Sequence, residues 1–248
     1  MLRFLVGTVF LIVSLSSCWQ SNHELPSTIT TDPSPAEGTD LSAQQANKIL
    51  DYFDQVAFGA EFGASTQRIN KWVTDIRIFV SGQYPDYLDT ELTKIINEIN
   101  TLSDSIQLSR TPSKQEANYL IHFGTGEEYS QIEPNARAYV DDNFGLLWIY
   151  WNGDNEIYKG SMYVDIVRTS DQAAQKHLLR EELTQSLGLL NDSYQYPESI
   201  FYQDWTQTTE YSEMDKHLIE VLYSEQVRPG MTQQDINKVF KSSQPAMR

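Results

Sequence analysis

Residues 86–103 constrain the architecture more than any other stretch of the chain. Leu88, Leu92, Ile95, Ile96, Ile99 and Leu102 recur at helical spacing, so a helix there carries one apolar stripe that must be covered. Strand patterns flank it. In 72–80, Trp72, Ile76, Ile78 and Val80 alternate onto one face, and 117–123 is a second apolar run. Two further strands are expected at 144–151 and 157–168, around the turn-forming Asn152-Gly153-Asp154-Asn155. Helix and strand signals alternate, but without the regular units of a doubly wound sheet. The expectation is an α+β domain in which helices pack on a twisted mixed sheet.

The remaining punctuation follows local rules. A helix is expected from Ser42, as its N-cap, to about Val56, with Ile49, Phe53 and Val56 on one face. Gly59 and Gly63 then mark turns, and Glu61 between them is suited to pair with Arg68. Gly82 ends the strand before the long helix. His122 falls inside a strand and reads as a satisfied core residue. The segment 124–128, Gly-Thr-Gly-Glu-Glu, reads as a turn bearing two carboxylates; it lacks the spacing and lysine of a phosphate loop. Ser170 can cap a helix reaching about Leu190, 191–210 is a polar, aromatic loop, 213–223 is helical, and Thr232 caps a last helix to about residue 241.

The N-terminus predicts an address. Arg3 precedes an apolar run over residues 4–13, of signal-peptide length and too short to span a bilayer. Leu15-Ser16-Ser17-Cys18 follows, a lipobox whose cysteine, the only one in the chain, would carry acyl chains. At ~0.8 kcal/mol per buried methylene, two or three chains hold a protein on a membrane durably. The expected organisation is a signal peptide at 1–17, a lipidated Cys18 and flexible linker at 18–42, one domain at 43–240 and a tail at 241–248. Trp19 after the cysteine favours the outer membrane of a Gram-negative envelope, facing the periplasm. With Cys18 acylated no disulfide is available, so the fold depends on its core. The formal net charge of −16 excludes nucleic acid as a partner on electrostatic grounds.

Residues 181–192 read E-E-L-T-Q-S-L-G-L-L-N-D, the spacing of H-E-x-x-H-x-x-G-x-x-H with its ligands exchanged. Glu181 and Gln185 occupy two histidine positions four apart on one helix face, Asn191 the third, and Glu182 the position of a general base. Replacing imidazole by carboxylate and carboxamide argues against tight zinc and leaves room for a harder divalent cation bound by oxygen. His177 lies one turn before Glu181, and Asp192 adds a carboxylate. The candidate site is therefore Glu182 as base, with Glu181, Gln185, Asn191, Asp192 and His177 lining a cleft. Arg180 is placed to neutralise the paired glutamates, and the turn at Gly188 to fold Asn191 and Asp192 back on the helix.

The block 180–189 (Arg-Glu-Glu-Leu-Thr-Gln-Ser-Leu-Gly-Leu), with Asn191-Asp192-Ser193, Pro197-Glu198-Ser199-Ile200-Phe201, Asp215-Lys216-His217-Leu218-Ile219 and Arg228-Pro229-Gly230-Met231, resembles a proteobacterial lipoprotein family of unknown function, DUF2927. Ala60-Glu61-Phe62-Gly63 and Lys71-Trp72 are similar too. The resemblance implies a zincin-like plan with a degenerate active-site helix, and Met214 in the role of a methionine turn. Two functions follow as expectations. One is a non-catalytic envelope lipoprotein whose pseudo-metallopeptidase domain binds a peptide or protein partner. The other is a peptide- or glycan-directed hydrolase that uses Glu182 as general base with an unusual metal or none.

Overall fold

A computed structural model describes residues 4–7, 37–58 and 67–242. The lipobox with Cys18, most of the linker, Glu61 and the end of the tail lie outside the described residues. In chain order the elements are β1 (Phe4–Gly7), α1 (Glu37–Ala57), β2 (Lys71–Trp72), β3 (Ile76–Gly82), α2 (Asp86–Leu102), β4 (Leu108–Arg110), β5 (Tyr119–Gly124), α3 (Gly126–Ile132), β6 (Gly145–Trp151), β7 (Glu156–Asp165), α4 (Gln172–Gln185), α5 (Glu213–Tyr223) and α6 (Gln233–Ser242). The sheet order is β1-β6-β7-β5-β3-β4, with β2 paired to β7. Strands β4, β3, β5 and β7 run parallel; β6 is antiparallel to β7 and to β1. This is the expected mixed α+β arrangement. Among the described residues no helix is long and apolar enough to cross a membrane.

Strand alternation divides the interior in two. Leu147, Ile149, Met162 and Val164 join the main core under α2, α4 and α5, whereas Leu146, Trp148 and Tyr163 face a smaller cluster with Tyr129 and Val140. Helix α3 packs on that second face, against β5 and β7. The α2 stripe is buried as expected, each fully covered Leu or Ile contributing roughly 1.5–3 kcal/mol. Tyr119 lies over Gly160, where a Cβ would stand 2.6 Å from the ring.

Several local expectations are corrected. Helix α1 begins at Glu37, so Ser42 lies inside it rather than capping it. The 72–80 pattern is two strands: Trp72 pairs with Ile157 of β7, the chain bends at Val73-Thr74, and Asp75 beyond it accepts the Gln107 N–H at 2.9 Å on its carboxylate and the Asn118 amide on its carbonyl. The 124–128 turn opens a helix, because Thr125 and Glu128 form a reciprocal capping box. β7 stops at Asp165, which caps the following turn through the Val167 and Arg168 N–H groups. Asp171, not Ser170, caps α4 by accepting the Ala174 N–H at 2.8 Å. α4 ends at Gln185, five residues short of Leu190. Beyond it Gly188 adopts φ +120°, where a Cβ would lie 2.0 Å from the Asn70 carbonyl oxygen, a conformation and an approach open only to glycine. The expected pairing of Glu61 with Arg68 falls on a residue outside the described ones; Arg68 itself donates to the Gly230 carbonyl at 2.8 Å. Met214 lies in the first turn of α5, half-buried against the core, and not in a turn.

Candidate functional site

α4 is buried on nearly every side: from Leu178 to Gln185 no residue is exposed. A helix so placed needs a partner for each polar group, and the polar residues of α4 turn to different neighbours.

His177 and Glu181 form one pair. Their side chains are 4 % and 2 % exposed, with Nε2 3.4 Å from Glu181 Oε2. The other ring nitrogen meets the Thr208 carbonyl at 2.8 Å, so Nδ1 carries the proton that the carbonyl accepts. Trp205 meets the imidazole edge-on, centroids 5.4 Å apart. Burial pulls the His177 pKa down, but the nearby Glu181 carboxylate and the Thr208 carbonyl outweigh it and hold the pKa above the ordinary imidazole value. The polar loop 203–210 thus lies over this end of the helix.

Glu182 turns to the sheet. A Cβ on Gly145 of β6 would stand 2.8 Å from Glu182 Oε1 and 3.0 Å from Leu178 Cδ2, so the missing side chain at 145 makes room for the carboxylate. The Glu182 charge adds to burial in raising the phenol pKa values of Tyr119, Tyr129 and Tyr163. Glu182 itself is fully buried.

Gln185 and Asp192 form the third group. The carboxamide Nε2 donates to Asp192 Oδ1 at 2.6 Å, while Gln185 Oε1 has no hydrogen-bond partner. The turn at Gly188 therefore brings Asp192 back to α4 as expected. It does not bring Asn191, whose side chain donates to the Gln55 carbonyl at 2.8 Å and whose N–H donates to the Val56 carbonyl at 3.0 Å, both in α1.

Arg180 does not neutralise the paired glutamates. It points away from them to α2, reaching Glu91 at 2.8 Å and Glu98, with its guanidinium 4.4 Å from the Tyr211 ring centroid. Sequence reasoning missed this hub. The signal was faint: Glu91 and Glu98 sit seven residues apart on α2, two turns along one face. Among the described residues, no group of three or more His, Cys, Asp or Glu is placed to hold a metal ion. What the arrangement does is pair His177 with Glu181, Gln185 with Asp192 and Arg180 with Glu91 and Glu98, each toward a different neighbour, and it leaves Gln185 Oε1 without a hydrogen-bond partner.

The sequence matches the family described as protein of unknown function (DUF2927) over residues 46–242, and the chain belongs to that family. No curated protein matches it.

Proposed function

We propose that this DUF2927 member is a lipid-anchored envelope protein, held at the outer membrane through Cys18, whose zincin-like domain binds an extended peptide or protein partner without cutting it. The order of elements supports the zincin-like reading: three parallel strands, then an antiparallel β6, then β7 leading into α4, which carries the degenerate E-E-x-x-Q motif with Glu182 against β6. The sealed environment of Glu182 supports binding over chemistry, since a general base must come within hydrogen-bond reach of a substrate or its water.

The observation that carries the reading is the outer edge of β6. It takes an extended apolar segment, Phe4–Gly7, in antiparallel register from Phe4 opposite Ile149 to Gly7 opposite Leu146. Processing before Cys18 removes that segment and vacates a row of backbone donors and acceptors. Such an edge recruits peptides by strand addition.

The test uses the processed, lipidated chain and a library of extended peptides. Bound peptides protect the amides of Gly145–Trp151 from hydrogen exchange, and Glu182→Gln retains that binding. Binding that leaves the β6 amides unprotected overturns the reading. A well-folded Glu182→Gln chain that keeps its ligands but loses all function in cells supports the other reading, a hydrolase with Glu182 as base, because a carboxamide cannot take a proton.

A further inference from the structure

The sheet face opposite α4 holds a second constellation. Ser81 of β3 and His122 of β5 are register partners on adjacent parallel strands, with Ser81 Oγ 3.0 Å from His122 Nδ1. On the far side of the ring, Nε2 lies 3.6 Å from Glu128 Oε2. His122 is buried and its Nε2 has no hydrogen-bond partner, an arrangement that calls for an explanation. It is not the satisfied core histidine its strand position suggests.

The surroundings are built around these three side chains. Glu128 is fixed as an anion, since its Oε2 accepts from Thr125 N at 2.8 Å and Thr125 Oγ1 at 3.0 Å, bonds that hold its pKa below the ordinary carboxylate value. At Gly124 a Cβ would stand 2.4 Å from His122 Nε2 and 2.5 Å from Glu128 Oε2; any other residue would fill the space between ring and carboxylate. Gly82, directly after Ser81, has φ +98° and passes so close to Phe123 that a Cβ would lie 1.9 Å from its carbonyl oxygen. That position, next to the partly exposed serine, accepts only glycine. The trio sits at the carboxyl ends of parallel strands, where open sheets bind ligands.

We propose that Ser81, His122 and Glu128 form a nucleophilic site that hydrolyses small acyl esters. Ser81 Oγ attacks the ester carbonyl carbon while His122 Nδ1 takes the hydroxyl proton. The tetrahedral adduct collapses, the acyl C–O bond to the alcohol breaks, and the alcohol leaves with the proton from His122. Water then attacks the acyl-serine, giving its proton to His122; the Oγ–acyl bond breaks, the carboxylic acid departs and Ser81 recovers the proton. The sum is ester plus water to acid plus alcohol. Glu128 is a positioning residue: it draws the ring proton to Nε2 and leaves the Nδ1 lone pair facing Ser81. The site owes nothing to α4 and stands apart from peptide binding at β6.

The experiment treats the purified full chain with a fluorophosphonate and maps the adduct by mass spectrometry, beside turnover of p-nitrophenyl acetate. The expected result is one labelled serine, Ser81, with labelling abolished in Ser81→Ala. Turnover falls roughly 100-fold or more in His122→Gln, the scale of a lost general base. Glu128→Gln can keep the helix cap, so its rate is measured on a folded protein; its pH–rate midpoint moves to lower pH because the charge that supports the imidazolium is gone. An unlabelled Ser81 in cooperatively folded wild-type protein overturns the proposal, as does labelling indifferent to His122→Gln in a variant with native unfolding behaviour. An unmoved pH midpoint in Glu128→Gln overturns the positioning role.

Discussion

Arg180→Met tests whether the ion-pair hub, and not the helix stripe alone, holds α4 against α2. The substitution removes the guanidinium and keeps much of the side-chain volume. Glu98 is 31 % exposed and relaxes into water, so it contributes little to the loss. Glu91 is 6 % exposed and cannot; only Lys176, 3.7 Å from its other oxygen, remains near it. Most of the loss comes from one buried carboxylate left short of its partner, about 3–5 kcal/mol when nothing compensates. Lys176 brings the expectation to the lower end, about 3 kcal/mol. For a domain of this size that lowers Tm by roughly 6–12 °C. Urea unfolding should show the loss in the midpoint with m unchanged, since the surface exposed on unfolding is the same. Replacing both partners, Arg180→Met with Glu91→Leu, should recover most of the loss, because a packed apolar pair can match a buried ion pair. A single variant that loses less than about 1 kcal/mol, or a double variant no better than the single, would refute the reasoning.

Gly188→Ala should destabilise by at least about 2 kcal/mol, because φ +120° and the approach to the Asn70 carbonyl both exclude a Cβ; calorimetry showing an unchanged Tm rules this out. The His177–Glu181 pair should stabilise the fold below the imidazole's unfolded pKa and fade as pH rises through its raised folded value. The stability difference between wild type and His177→Gln should therefore shrink from pH 6 to pH 8, and a difference that grows instead contradicts the assignment. Cys18→Ser should release the protein from membrane fractions; if the variant still pellets with outer membranes after normal processing, lipid anchoring there is wrong.

Much of the scaffold follows from local sequence. Period-3.6 spacing gave α2 its limits within a residue, because a stripe of Leu and Ile needs nothing distant to define it. Gly82 ended β3 as expected, and Asn152-Gly153-Asp154-Asn155 joined β6 to β7. Thr125-x-x-Glu128 was legible as a capping box, yet read as a turn, since α3 is only seven residues long and shows little periodicity.

By itself the sequence determined the α2 helix, the core of most strands and that 181–192 holds an unusual density of polar groups, but not where several elements begin and end. Tertiary structure decided what those groups do. Glu181, Glu182 and Gln185 share a helix, but each side chain answers to the element that packs over it: the 203–210 loop, Gly145 on β6, and Asp192 returned by Gly188. Ser81, His122 and Glu128 show the same limit from the other side. They are up to 47 residues apart in the chain and meet only because β3 and β5 pair in one register and α3 folds back over them. Spacing along a chain fixes which residues can share a face; which groups come within hydrogen-bond reach depends on long-range packing that no local pattern records.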